Sequence, residues 1–328
     1  MLLSVLALIA GLALLVWSSD KFVLGASSTA AALGVSPLLI GLTIVGFGTS
    51  APEMVVSALS SAGGNPGLAI GNALGSNIAN IALILGVSAL VVPLAVSSRI
   101  LRNEMPVLFA VTLLVTLVIW DLQLSRIDSW VLIGGMFAVM GWLVYDGLRN
   151  RGSVLEHEFE EEIDASLPLR TALMWCLVGL VLLVVSAQMM VWGAVNIAQF
   201  FGISDLIIGL SIVAIGTSLP ELGASIASVR KKEYDIALGN VLGSNMFNSL
   251  GVLGIAGAIS PTEVDRMVLV RDMPFLFALM VLLFLVAGQW ALGKGRISRR
   301  TGAIFLISFI AYQGILFWQA TGGLNGQG

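Results

Sequence analysis

The chain has 328 residues, of which 58% are hydrophobic and only 11% charged, and its mean hydropathy is +1.00. So apolar a composition excludes a water-soluble domain and predicts an all-α polytopic membrane protein. A net charge of −3 says little where most charges sit in short loops, and nothing in the sequence points to nucleic acid; the single cysteine, Cys176, excludes an intrachain disulfide and argues against a cysteine-based metal centre.

The first apolar run extends from Leu2 to Ala32. It lacks the basic segment of a cleaved signal peptide and reads as the first span. Asp20 and Lys21 within it are adjacent, so they point to different faces, and they read as the wet end of a tilted helix. Four further runs follow: Pro37 to Ala62, Gly67 to Val92, Met105 to Trp120 and Trp130 to Tyr145. A polar segment, Arg149 to Ser166, carries EHEFEEEID around His157; it is too short for a domain and reads as a solvated linker. Beyond it come Leu169 to Phe200, Leu206 to Val229, Ile236 to Ile259, Pro274 to Leu292 and Thr301 to Gln319. Ten spans are therefore expected, divided as residues 1–148, a linker at 149–168, and residues 169–328. Several runs exceed the roughly 20 residues of a straight crossing, which implies tilt or a break.

Basic residues set the orientation. With the N-terminus outside, the cytoplasmic loops hold Arg99, Arg102, Arg149, Arg151, Arg170, Arg230, Lys231, Lys232, Lys294, Arg296, Arg299 and Arg300. The opposite side keeps only Arg126, Arg266 and Arg271. That asymmetry predicts an external N-terminus, a cytoplasmic central loop and a multi-pass protein of the cell (inner) membrane. Five spans per half is an odd number, so the second half is inverted relative to the first.

One stretch occurs twice. Residues 41–86 read GLTIVGFGTSAPEMVVSALSSAGGNPGLAIGNALGSNIANIALILG, and residues 209–254 read GLSIVAIGTSLPELGASIASVRKKEYDIALGNVLGSNMFNSLGVLG. A shift of 168 residues aligns them without a gap, placing Glu53 on Glu221, Thr49 and Ser50 on Thr217 and Ser218, Ser76 on Ser244, and Asn80 on Asn248. Thr49 and Glu53 are spaced i, i+4, as are Ser76 and Asn80, so each set shares a helix face. Pro52 and Pro220, read as lying inside a helix, would free the carbonyls of Gly48 and Gly216. The donors are all oxygens, which suits hard cations such as Ca2+ and Na+. A carboxylate near the bilayer midplane costs roughly 2.5–3.5 kcal/mol on insertion scales, so two at equivalent positions point to function. Gly71, Gly75, Gly239 and Gly243 read as packing positions. No arrangement of an enzyme is present, and the residues alone leave open an antiporter or a passive cation channel.

The pattern GTSxPE followed by GNxxGSNxxN, present in both halves, resembles the two α-repeats of the sodium/calcium exchanger family, within the cation/calcium antiporter superfamily. The resemblance spans essentially the whole chain. It implies a secondary antiporter exchanging Na+ for Ca2+ by alternating access, with no resident cofactor and no need for a second copy of the chain. It also implies a metal-ligand set of Thr49, Ser50, Glu53, Ser76 and Asn80 with Thr217, Ser218, Glu221, Ser244 and Asn248, joined by the backbone carbonyls of Gly46 and Ala214. Calcium/proton exchangers of the same superfamily carry GNxxE where this chain has GTSxPE. Some prokaryotic members, and the potassium-dependent exchangers, have Asp where this chain has Asn248. Asparagine there leaves two formal charges at the site and implies transport without K+.

Overall fold

The computed structural model describes residues 1–97, 99–149, 167–200, 214–288 and 295–322. Long apolar runs can satisfy their backbone within a bilayer only as helices, and helices make up almost all of the described chain. They are α1 (Leu2–Leu33), α2 (Pro37–Ala62), α3 (Pro66–Val91), α4 (Ile100–Val118), α5 (Arg126–Arg149) and α6 (Leu169–Phe200). After these come α7 (Ala214–Thr217 and Leu219–Arg230), α8 (Tyr234–Ile259), α9 (Val268–Ala287) and α10 (Arg299–Gly322). Nine of them, among the described residues, are long and apolar enough to cross a membrane. The tenth expected span includes residues 206–213, which lie outside the described residues, as does most of the linker with its acidic run.

The repeat recurs in three dimensions at the offset read from the sequence. Helical segment Ala51–Ala62 corresponds to Leu219–Arg230, Pro66–Ala79 to Tyr234–Phe247, and Leu85–Val91 to Leu253–Ile259. Wide π turns stand at matched places too, at Asn80–Ile84 and Asn248–Val252, and again at Ile100–Glu104 and Val268–Asp272.

Four short strands show that the halves are inverted. β1 (Leu94–Val96) follows α3 and β2 (Gln123–Leu124) follows α4, so the two lie at opposite ends of α4. β3 (Thr262–Glu263) follows α8 and corresponds to β1 in the repeat. Yet β3 pairs with β2, whereas β1 pairs with β4 (Gly295–Ile297). Corresponding strands thus sit on opposite faces of the helix layer.

The centre of the molecule is built from α2, α3, α7 and α8. Of the candidate spans, α8 is the most enclosed and α3 next, while α1, α5, α6 and α10 present much apolar surface outward, as lipid-facing helices do. α2 crosses α8 at glycines: a side chain at Gly239 would meet the Leu38 carbonyl at 2.8 Å and Gly41 Cα at 2.9 Å. The packing role expected of Gly239 and Gly243 is therefore seen. Among the described residues nothing approaches Gly71 or Gly75; the stretch that corresponds to Gly41–Val45, residues 209–213, is outside them. α1 and α6 run together along their length and touch at glycines: a Cβ added at Gly179 would fall 2.6 Å from the Phe22 nitrogen, and one at Gly25 nearer still to the Cys176 nitrogen.

Buried charge at the rims is paired. On one face Arg99 contacts Glu104 at 3.3 Å and Asp146 at 3.0 Å, clasping α4 to α5. On the other, Asp272, the counterpart of Glu104, is held by Arg271 and by the Tyr312 hydroxyl of α10 at 2.7 Å.

Candidate cation site

Both α2 and α7 break just ahead of their acid. Ser50 (φ −82°, ψ 1°) closes the turn Gly46–Thr49, and Ser218 (φ −89°, ψ 5°) follows Ala214–Thr217. A fresh helix then starts at Ala51 or Leu219, with proline second and glutamate third. Pro52 and Pro220 therefore stand in a first turn, where a missing N–H costs nothing, rather than in a helix interior as the sequence suggests. The break leaves each carboxylate at a helix N-terminus, the end that favours negative charge.

Glu53 and Glu221 are 0% and 1% exposed, and their charges are close enough to interact. Among the described residues neither takes part in an ion pair. Ser50 donates to Glu221 Oε1 at 3.3 Å. Both carboxylate oxygens of Glu53, and Oε2 of Glu221, are buried without a hydrogen bond among those residues. Ser76 and Thr217 flank the Glu53 carboxylate, and Thr49 flanks that of Glu221.

Around the acids, hydroxyls of one half reach amides of the other. Thr49 Oγ1 donates to Asn240 Oδ1 at 3.0 Å and lies 3.3 Å from Ser244 Oγ. Ser244 in turn donates to the Gly46 carbonyl at 3.3 Å. Across the pseudo-twofold axis, Thr217 Oγ1 donates to Asn72 Oδ1 at 3.4 Å, and Ser218 to Ser76 at 3.4 Å. Asn240 Nδ2 also donates to the Glu221 carbonyl at 3.1 Å, as Asn72 does to that of Glu53 at 3.4 Å. Asn80 and Asn248 are both wholly buried and open the two matched π turns, widenings that are common at functional sites.

Thr49, Ser50, Glu53, Ser76, Thr217, Ser218, Glu221 and Ser244 are thus brought into one enclosed cluster between the halves, with the Gly46 carbonyl hydrogen-bonded into it, while Asn80 is bonded to Asn245 and Asn248 is buried at the start of its π turn. Ala214 stands one turn before Ser218, at the start of the described part of α7. Sequence reasoning missed Asn72 and Asn240, which bind the threonines and the backbone of the acids, together with Asn77, Asn245, Ser57, Ser225 and Ser249. The signal was available for most of them. Asn72, Ser76 and Asn80 fall at i, i+4 and i+8 on one face, and 72/240, 77/245 and 57/225 share the 168-residue offset.

Two carboxylates, six hydroxyls and several amide and backbone carbonyls make a donor set for one hard cation of charge two, or for two of charge one. No group of three or more His, Cys, Asp or Glu able to hold a metal occurs among the described residues, as suits a site where neutral oxygens supply most of the ligands.

Comparison with known proteins agrees with this architecture. A family model described as "Sodium/calcium exchanger protein" matches residues 3–145 and 171–318. The chain is 46% identical to CaxA of Alkalimonas amylolytica, which carries the name of an antiporter, over 97% of this chain and 99% of that one. It is 30% identical to the sodium/calcium exchanger MaX1 of Methanosarcina acetivorans, over 95% of this chain and 98% of that one. A solved structure of the sodium-calcium exchanger NCX_Mj, soaked with Na+ and Ca2+, is similar at a TM-score of 0.81 and 33% identity, covering 95% and 97% of the two chains.

Proposed function

This chain belongs to the sodium/calcium exchanger family, and on that premise we propose that it drives Ca2+ across the cell membrane in exchange for Na+, at the site between its two halves. The observation that carries this reading is the pair Glu53 and Glu221: two fully enclosed carboxylates, one from each inverted half, with no basic partner among the described residues. Uncompensated charge at that depth is costly, so an incoming cation supplies the balance. One Ca2+ or two Na+ would neutralise the pair, and the two ions therefore compete for the same oxygens.

Competition of this kind produces coupling. The half-sites belong to repeats that face opposite sides of the membrane, so a rearrangement of one against the other exposes the ions to one side at a time. A site that must be filled before it turns cannot leak. A third Na+, held by neutral oxygens, would make the exchange electrogenic, and that one net charge is worth roughly 2.3 kcal/mol at about 100 mV. The ligands assigned are Thr49, Ser50, Glu53, Ser76, Asn80, Thr217, Ser218, Glu221, Ser244 and Asn248, with the carbonyls of Gly46 and Ala214. The N-terminus lies outside, the segment joining residues 1–148 to 169–328 lies in the cytoplasm, and one copy of the chain suffices.

Uptake of radiolabelled Ca2+ into vesicles containing the purified protein tests the proposal. An outward Na+ gradient should drive uptake in K+-free medium with choline as the substitute, since Asn248 adds no third charge for K+ to balance. Equally fast Ca2+ entry with no counter-ion would identify a channel. Uptake driven by a proton gradient alone would identify a proton exchanger.

A further inference from the structure

The two halves are matched so closely that a place where they differ is informative. One such place concerns the amides of Asn80 and Asn248. On one side Asn80 Nδ2 donates to Asn245 Oδ1 at 2.9 Å, which leaves Asn80 Oδ1 as the uncommitted end, buried and without a partner among the described residues. An amide carries an acceptor oxygen at one end and a donor NH2 at the other. Whichever end the protein engages fixes the end offered to an ion.

In the repeat Asn80 corresponds to Asn248, and Asn245 to Asn77. Here the bond is not closed: among the described residues Asn248 has no partner at either Nδ2 or Oδ1, and Asn77 Oδ1 has none either. Asn77 instead donates its Nδ2 to Ser249 Oγ at 2.8 Å. The counterpart of Ser249 is Ile81, which cannot accept, and correspondingly Asn245 Nδ2 is left without a partner among the described residues. Asn77, Asn245, Asn248 and Ser249 are all buried, so solvent does not decide how these amides turn.

We infer that Asn245 and the Asn77–Ser249 pair are positioning residues that turn the oxygen ends of Asn80 and Asn248 towards the transported cation. Asn245 acts directly, by holding the Asn80 NH2. On the other side Ser249 takes up the NH2 of Asn77, which leaves Asn77 Oδ1 open to accept from the Asn248 NH2 when an ion draws Asn248 Oδ1 to itself. A carboxylate at position 248 would need no such help, because both of its ends are oxygens. The arrangement matters because the residue there is asparagine, whose wrong end would present a positive NH2 to a metal ion.

This inference rests on the Ca2+ site proposed above, and the test separates the two. The full chain, purified in detergent, is titrated with Ca2+ by calorimetry, and the same protein in vesicles is assayed for Na+-driven uptake. Asn245→Leu should weaken Ca2+ binding about tenfold, equivalent to roughly 1.4 kcal/mol, with the loss falling on half-saturating Ca2+ more than on the maximal rate. Asn245→Asp, which keeps the acceptor, should bind Ca2+ at least as tightly as the unmodified protein. Ser249→Ala should weaken binding by about threefold to tenfold, the range of one net hydrogen bond, and Ser249→Thr should restore it. If Asn245→Leu does not fold, the two Ser249 variants decide. Unmodified protein that binds no Ca2+ overturns the functional reading and the inference with it. Normal binding by Asn245→Leu or Ser249→Ala, or equal weakening by Asn245→Asp and Asn245→Leu, overturns the inference alone.

Discussion

Glutamine in place of Glu53 or Glu221 keeps the size of the side chain and one oxygen, but removes one of only two formal charges in the site. At an effective dielectric constant of about 20, a unit charge about 4 Å from another is worth roughly 4 kcal/mol. A divalent ion feels about twice that, so losing one carboxylate removes up to roughly six decades of affinity. Either Glu53→Gln or Glu221→Gln should therefore reduce Na+-driven Ca2+ uptake to the level of empty vesicles while the protein still inserts. Vesicle flux alongside quantified membrane protein checks this, and uptake near that of the unmodified protein would show that the acids have been misassigned. At this scale the signal in the sequence was a twin, and Asn72, Asn77 and Ser57 carried it as well as the residues read from it. Glu53, Thr49, Ser76 and their counterparts stood out because a polar group recurring 168 residues later in an apolar run has no packing explanation. Ser249 did not stand out, because its twin is Ile81. Its role is visible only once Asn77 is seen bonding to it.

Elements carry the next set of constraints. α1 and α6 approach until side chains have no room: at Gly179 an added Cβ would fall 2.6 Å from the Phe22 nitrogen and 2.7 Å from its Cα. Backbone is what it would strike, so neither rotamer changes nor local repacking relieve the contact. Gly179→Val should destabilise the protein by roughly 1–3 kcal/mol, the usual cost of overpacking, and lower its thermal unfolding midpoint in detergent. Gly314→Val, at a glycine with nothing within 4 Å, should leave that midpoint nearly unchanged. Helix positions were legible from hydropathy, since α2 was expected at Pro37 to Ala62 and is found there. α4 and α9 begin earlier than expected, at Ile100 and Val268 rather than Met105 and Pro274. The polar groups in those first turns resemble loop residues until Glu104 is seen against Arg99 and Asp272 against Tyr312. The four strands left no signal, because two or three residues are too few to show a period.

For the whole molecule the testable quantity is sidedness. Lys231 and Arg126 are both exposed and lie on opposite sides in the proposed topology, whereas the native Cys176 is buried and gives little background. Cysteine at 231 should react with a membrane-impermeant maleimide only after cells are opened. Cysteine at 126 should react in intact cells. The reverse pattern would place the N-terminus inside and invert the direction assigned to every loop. The count of basic residues made this prediction possible from sequence, because short loops are sorted by charge during insertion whatever the later packing.

The crossed strand pairs carry a consequence for assembly. β1 with β4, and β2 with β3, each join a loop of one repeat to a loop of the other, one pair on each face. Together with the threonine-to-asparagine bonds at the centre, they hold the repeats to each other at three depths without using the covalent connection between them. Residues 1–149 and 167–328, made in one cell as separate polypeptides, should then find each other in the membrane and copurify through a tag on either one. Neither fragment alone should take up Ca2+, since each brings a single carboxylate. A protein that tolerates being cut in the middle in this way would be, in effect, a heterodimer that happens to be translated as one chain.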